Sequence, residues 1–152
     1  MYLFSFEQAI LRSDLIVESE VKNIEFHKPD SASSSAYADI KLSVKDLIKG
    51  ESANEIIMRT SMVYEVDGKF EYIDPEHLPI LSKNKRYILC LIRSKIEGNN
   101  HYWLIGSFTC TFEIENGMII NRDIIKEPFE SVVENGTPVE DLKKKIKNIL
   151  DK

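Results

Sequence analysis

The stretch "AYADIKLSVKDLIKG", residues 36 to 50, constrains the fold more than any other. Ala36, Ala38, Ile40, Leu42 and Val44 fall on one side of an extended chain. Tyr37, Asp39, Lys41, Ser43 and Lys45 fall on the other. Such alternation belongs to an antiparallel sheet with one wet face. The phase breaks at Asp46, leaving Leu47 and Ile48 as adjacent apolar residues. Lys49-Gly50 then ends the run. Glycine allows a backbone angle that side chains resist, so the chain turns out of the sheet there.

A second long strand precedes this one. In "DLIVESEVKNIEFHK" (14–28), Leu15, Val17, Ser19 and Val21 share a face, then Ile24 and Phe26 take the opposite phase. A phase switch inside a strand is the mark of a bulge or sharp bend. Long bent strands suit small, strongly curved barrels. Further strands follow: "NEIIMRTSMVYEV", then Phe70–Ile73 joined to Tyr64–Val66 through an Asp67-Gly68 hairpin turn. "RYILCLIRS" (86–94) is almost continuously apolar, so a helix should cover it. "HYWLIGS" follows the turn "EGNN". Phe108, Cys110, Phe112 and Ile114 alternate into an Asn116-Gly117 hairpin that returns through "MIIN". The polar segment "PDSASSS" (29–35) and the link "DPEHLP" read as loops.

Helices are expected at both ends. Ser5 and Gln8 form a capping box ahead of Phe6, Ala9 and Ile10. Near the other end, Thr137 should cap, with Pro138 as the first helical residue and Glu140 completing the box. Val139, Leu142, Ile146, Ile149 and Leu150 make the apolar stripe. The run "KKKIK" (143–147) reads as a solvated face paired with Glu140 and Asp141. At 152 residues the chain suits one domain spanning 1–152. The fold class is mainly β: a small closed or nearly closed antiparallel barrel with a short N-terminal helix and a C-terminal helix.

A net charge of −5 argues against phosphate-backbone binding, so nucleic acid is not the expected partner. No run approaches the roughly 18 apolar residues of a membrane span. The start "MYLFSFEQAILRSD" has no basic n-region and no long apolar core. As written it reads as cytoplasmic, or as secreted or surface-exposed if a leader has been removed. Cys90 and Cys110 lack zinc spacing. They read as two buried reduced thiols, with a bridge between adjacent strands as the other reading.

"SDLIVESEV" (13–21) resembles the opening strand of the netrin-like, or tissue-inhibitor-of-metalloproteinases-like, OB-fold superfamily. Its bacterial members show an acidic residue, three apolar residues, then a small residue and valine. Asp14, Leu15, Ile16, Val17, Ser19 and Val21 fit. "LSVKDLIKG" is similar to that group's strand ending in apolar-x-x-Lys-Gly. Asn84, Arg86, Tyr87, Leu89 and Leu91 resemble a Gly-x-x-Tyr-Leu-x-Phe-Leu strand, with Asn84 where glycine is usual. "GSFTCTFEIENGMI" (106–119) resembles the hairpin that follows. The resemblance spans residues 13 to about 120 and implies an OB-like five-stranded barrel with added strands and helices. It does not carry over metalloproteinase inhibition, because the animal inhibitors use an N-terminal cysteine and this chain has none before Cys90.

No catalytic motif is present. There is no Gly-x-Ser-x-Gly elbow, no phosphate loop and no dinucleotide fingerprint. Cys90 sits in an apolar strand without a local histidine. Asp74, Glu76 and His77, with Glu71 near, offer oxygen and imidazole ligands to a divalent metal. The plainer reading is a solvated acidic loop, so neither metal nor cofactor is expected. The leading expectation is a non-enzymatic module that binds another protein. The alternative is an oligonucleotide or oligosaccharide binder that stacks its ligand on Tyr37, Tyr102 and Trp103, with Lys41 and Lys45 beside them. Tyr64 and Tyr72 are further candidates.

Overall fold

The computed structural model describes residues 5–29, 35–61, 63–73, 81–94, 100–105, 110–120 and 133–152. The first described element is helix α1 (Phe6–Arg12). Its Ser5–Gln8 capping box is formed, and Phe6, Ala9 and Ile10 are buried. Strands β1 (Leu15–His27) and β2 (Tyr37–Lys49) then pair antiparallel along almost their whole lengths. Next come β3 (Glu55–Thr60), the hairpin of β4 (Val63–Val66) and β5 (Lys69–Tyr72), β6 (Arg86–Arg93), β7 (His101–Leu104), β8 (Thr111–Glu115) and β9 (Met118–Ile120). Helix α2 (Val139–Leu150) closes the chain.

Five strands close on themselves in the order β1-β2-β3-β7-β6, with β6 returning to β1. Four of these contacts are antiparallel and β3–β7 is parallel, a departure from the all-antiparallel expectation. The parallel pair is the step that lets the ring close. β8 and β9 extend the sheet from β6. The run expected as one strand over 54–66 divides near Ser61. β3 stays in the barrel, whereas β4 leaves to form a separate two-stranded sheet with β5.

Two apolar layers meet across β1 and β6. Leu15, Val17 and Val21 point into the barrel with Tyr87, Leu89 and Leu91. Ile16, Ile88 and Cys90 point outward beneath α1 and α2, against Ile10, Leu142 and Ile146. The greasy strand β6 is therefore covered on both faces. A third cluster seats the β4–β5 hairpin: Phe70 stacks on Phe26 at 5.2 Å, and Tyr72 meets the same ring edge-on at 5.9 Å.

The phase switches are bulges. Val21 pairs with Leu42, but Asn23 pairs with Lys41, so Lys22 is the extra residue that moves Ile24 and Phe26 to the inner phase. On β2, Ser19 pairs with Val44 and Glu18 with Asp46, making Lys45 the extra residue. That bulge swings Asp46 to the outer side, opposite Glu18. Both hairpin turns hold two residues at positive φ, Asp67 and Gly68 (54° and 79°) and Asn116 and Gly117 (53° and 75°). This is the turn whose twist matches a two-residue hairpin.

Cys90 and Cys110 are joined as a disulfide, with Cα atoms 5.8 Å apart. Leu89 pairs with Thr111, so Cys110 arrives opposite Cys90 across β6 and β8. The reading as two reduced thiols gives way to the cross-strand bridge. Both residues are fully buried.

Helix α2 starts differently from expectation. Its N-cap is Pro138, with no side-chain cap. The Thr137 hydroxyl donates instead to the Glu134 carbonyl at 2.8 Å. Its own carbonyl accepts from Ile119 N–H at 2.7 Å, so the backbone here is held against β9 before the helix begins.

Asn84 has φ +70° and its N–H donates to the Val21 carbonyl at 2.8 Å. This left-handed geometry favours glycine, and asparagine is among the side chains that tolerate it best. Asn84→Gly is expected to keep or raise stability. Asn84→Val should lower it by about 1–2 kcal/mol, read from urea unfolding midpoints. Equal stability of the two variants would refute the backbone explanation.

Candidate binding face

The outer surface of β2, β3 and β7, with the end of β1, brings together Tyr37, Lys41 and Trp103 of the candidate residues. After the Lys22 bulge, Glu25 and His27 face outward. Tyr37, Asp39 and Lys41 do so on β2, Ile57 and Arg59 on β3, and His101 and Trp103 on β7. Alternation sets these orientations within each strand. The register sets the neighbours: His27 lies opposite Tyr37, Asp39 opposite Arg59, and Arg59 opposite Trp103.

Tyr37 stands at the centre of a stack. The His27 ring lies nearly parallel to it at 4.7 Å, from the strand on one side. The Arg59 guanidinium sits 4.1 Å from the ring centroid, from the strand on the other. Arg59 is fixed by a two-pronged bond to Asp39, Nε to Oδ1 at 2.7 Å and Nη2 to Oδ2 at 3.0 Å. His27 Nε2 lies 3.5 Å from Glu25 and 3.7 Å from Asp39. Planar bidentate pairing and aromatic stacking are both properties of arginine that lysine lacks. The stack is half-buried, and the Arg59 charge within it is met by the Asp39 carboxylate.

The other candidates are placed as follows. Trp103 lies on this face, half-buried beside Arg59. Lys41 is exposed and pairs with Glu55 at 3.4 Å. Lys45 sits at the far bulge of β2, not beside Tyr37. Its charge bears on Glu20, whose carboxyl is held below the usual range, first by a hydrogen bond from Lys22, with Arg86 and Lys45 adding to it. Tyr102 points into the barrel and is 1% exposed, so it offers no surface for stacking. Its neighbours on β3 and β6 close over it, and the single-residue offset from Trp103 puts it on the inner phase. Tyr72 is turned onto Phe26, and Tyr64 is exposed on the hairpin. Asp74, Glu76 and His77 lie outside the described residues. Glu71 is exposed on β5. Among the described residues, no three His, Cys, Asp or Glu side chains group as metal ligands.

Arg59 and His27 were not among the residues expected on this face. The inward phase of Ile56 and Met58 is enough to turn Arg59 outward. Nothing local pairs it with Asp39, twenty residues away across a strand boundary.

No protein-family model matches the chain, and no curated protein is detectably similar to it in sequence. No helix among the described residues is long and apolar enough to cross a membrane.

Proposed function

We propose that this chain is an OB-like barrel of the netrin-like, tissue-inhibitor-of-metalloproteinases-like type. It works as a non-enzymatic module that binds another protein through the outer face of β2, β3 and β7. The fold part of this reading is supported by the strand order, a five-stranded ring with one parallel pair. It is also supported by the positive φ at Asn84 and Gly50, where the resembling strands carry glycine.

One observation carries the functional part. Tyr37 is approached on its two sides by His27 and Arg59, and the Arg59 charge is met by Asp39. A ring already engaged by His27 and Arg59 has less face to lend to a base, and a guanidinium paired with a carboxylate has little to offer a phosphate. Preorganised Tyr, Trp and Arg side chains with low net charge have the composition of a protein–protein hot spot.

The test is capture of partners by the immobilised chain, beside Arg59→Ala and Trp103→Ala variants, at low and high salt. A protein partner should be retained at high salt, and each variant should weaken it by about tenfold or more. Binding of a labelled single-stranded oligonucleotide or an oligosaccharide at low salt, lost with salt and with Tyr37→Ala, would move the assignment to the alternative. A partner indifferent to all three substitutions would rule out this face.

A further inference from the structure

We infer that the edge of β5 turned away from β4, which no strand among the described residues pairs with, joins β5 of a second copy of this chain, giving a two-fold dimer centred on Phe70. The β4–β5 hairpin stands apart from the barrel sheet as a two-stranded ribbon. Val66 and Lys69 flank its two-residue turn and close the ladder. Hydrogen-bonded and non-bonded pairs alternate along an antiparallel ladder. The N–H and C=O groups of Phe70 and Tyr72 therefore point away from β4. Among the described residues no strand pairs with that edge.

An open edge invites another strand, and proteins usually guard it with a charged side chain. Lys69 looks like such a guard, but the register turns it into an attraction. With the two-fold axis at Phe70, Lys69 of each copy lies opposite Glu71 of the other, so two opposite-charge pairs form. With the axis at Glu71, like charges would meet. Cross-strand opposite-charge pairs favour a register and like-charge pairs oppose it. Of these two registers charge complementarity favours the one centred on Phe70, and it is self-complementary, as a two-fold interface requires.

The two faces of the ribbon fit the same arrangement. Phe70 and Tyr72 are turned inward onto Phe26, so pairing leaves that packing intact. Tyr64, Val66 and Ile73 are 45%, 53% and 41% exposed on the outer side. Pairing would join these apolar residues from two copies into one four-stranded surface flanking the charge pairs. The edge is short, so the association is expected to be weak, in roughly the micromolar to millimolar range.

Sedimentation equilibrium of the full chain, run up to about 1 mM, reads the outcome. The wild type should self-associate. Lys69→Glu and Glu71→Lys should each raise the dissociation constant about tenfold or more. A mixture of the two single variants should form a heterodimer, and the double swap Lys69→Glu/Glu71→Lys should dimerise again. Both residues are exposed, and circular dichroism checks that each variant keeps its fold. A wild type that stays monomeric at the highest concentration overturns the inference. So does association that the single swaps leave unchanged.

Discussion

Lys143→Ala is expected to lower the unfolding free energy by about 3–5 kcal/mol, the cost of breaking a buried ion pair. The Lys143 ammonium is inserted between β1 and β2, 2.8 Å from Glu18 and 2.8 Å from Asp46, with Glu140 at 3.4 Å. Its side chain is 8% exposed. Glu18 and Asp46 face each other across the strand pair, so without the lysine two like charges would be opposed. Burial works against the ammonium charge. The hydrogen bonds to Asp46 and Glu18, and then their charges, outweigh it, and the pKa is held above its ordinary value of 10.5. The folded state therefore binds this proton more tightly than the unfolded state. That contribution is complete below about pH 10.5 and is lost as pH rises through the folded value. Tyr87 and Tyr72 act in the same direction, since burial pushes both hydroxyls above 10.0. Urea unfolding at pH 7 should show the full loss for Lys143→Ala and less than about 0.5 kcal/mol for Lys144→Ala, whose side chain is solvated. Replacing all three charges together, with Lys143→Met, Glu18→Gln and Asp46→Asn, should recover most of the deficit. A loss no larger for Lys143→Ala than for Lys144→Ala would show that the cluster does not hold α2 to the barrel.

Gly50→Ala should cost about 2–5 kcal/mol, combining left-handed strain of about 1–2 with crowding of about 1–3. Gly50 has φ +86°, and an added Cβ would fall inside contact distance of the Asp14 backbone carbonyl. Backbone on both sides leaves nothing flexible to give way. Gly68, Gly117 and Gly136 also have positive φ, but a Cβ on any of them meets nothing within 4 Å. Alanine at those three sites should cost only the strain, about 1–2 kcal/mol. The ranking can be read from thermal or urea unfolding of the four variants, and a Gly50→Ala protein no weaker than the other three would refute the close-approach argument. The residue before it completes the junction. Lys49 Nζ donates to the carbonyls of Ile10 and Leu11, each at 3.1 Å, at the C-terminal end of α1. Ser13 satisfies Ala9 there through both its N–H and its hydroxyl. The Asp14 carboxylate accepts from Arg93 N–H at 2.8 Å. Lys49-Gly50 is thus more than a strand exit. The lysine caps a helix, and the glycine lets two backbones touch.

Three residues of the motifs quoted from the sequence, Asp14, Lys49 and Gly50, meet at this junction. Asp14, Lys49 and Gly50 tie α1, β1, β2 and β6 together, so these motifs record how a barrel is assembled. The outer face of β2, β3 and β7 was legible only in part. Tyr37 and Lys41 could be placed outward by alternation, whereas Tyr102 and Trp103 both read as stackers although adjacent strand residues face opposite sides, and Tyr102 is the one that turns inward. Lys143 is hidden among the four lysines of 143–147, on a helix whose apolar stripe is plain from spacing alone. What singles it out is a carboxylate pair created by a bulge on another strand.

Local chemistry alone determined the alternation of β1 and β2, their phase breaks, both Asn/Asp-Gly hairpins, the capping box of α1 and the apolar stripe of α2. Each depends on side chains within a few residues of one another. Tertiary structure decided the parallel closure of β3 on β7, the departure of β4 from the barrel, the Cys90–Cys110 bridge and the displaced start of α2. It also decided the pairing of Arg59 with Asp39 and Tyr37, and the burial of Lys143. Each of these depends on which residue stands opposite another across strands, and register is set by the closure of the whole ring.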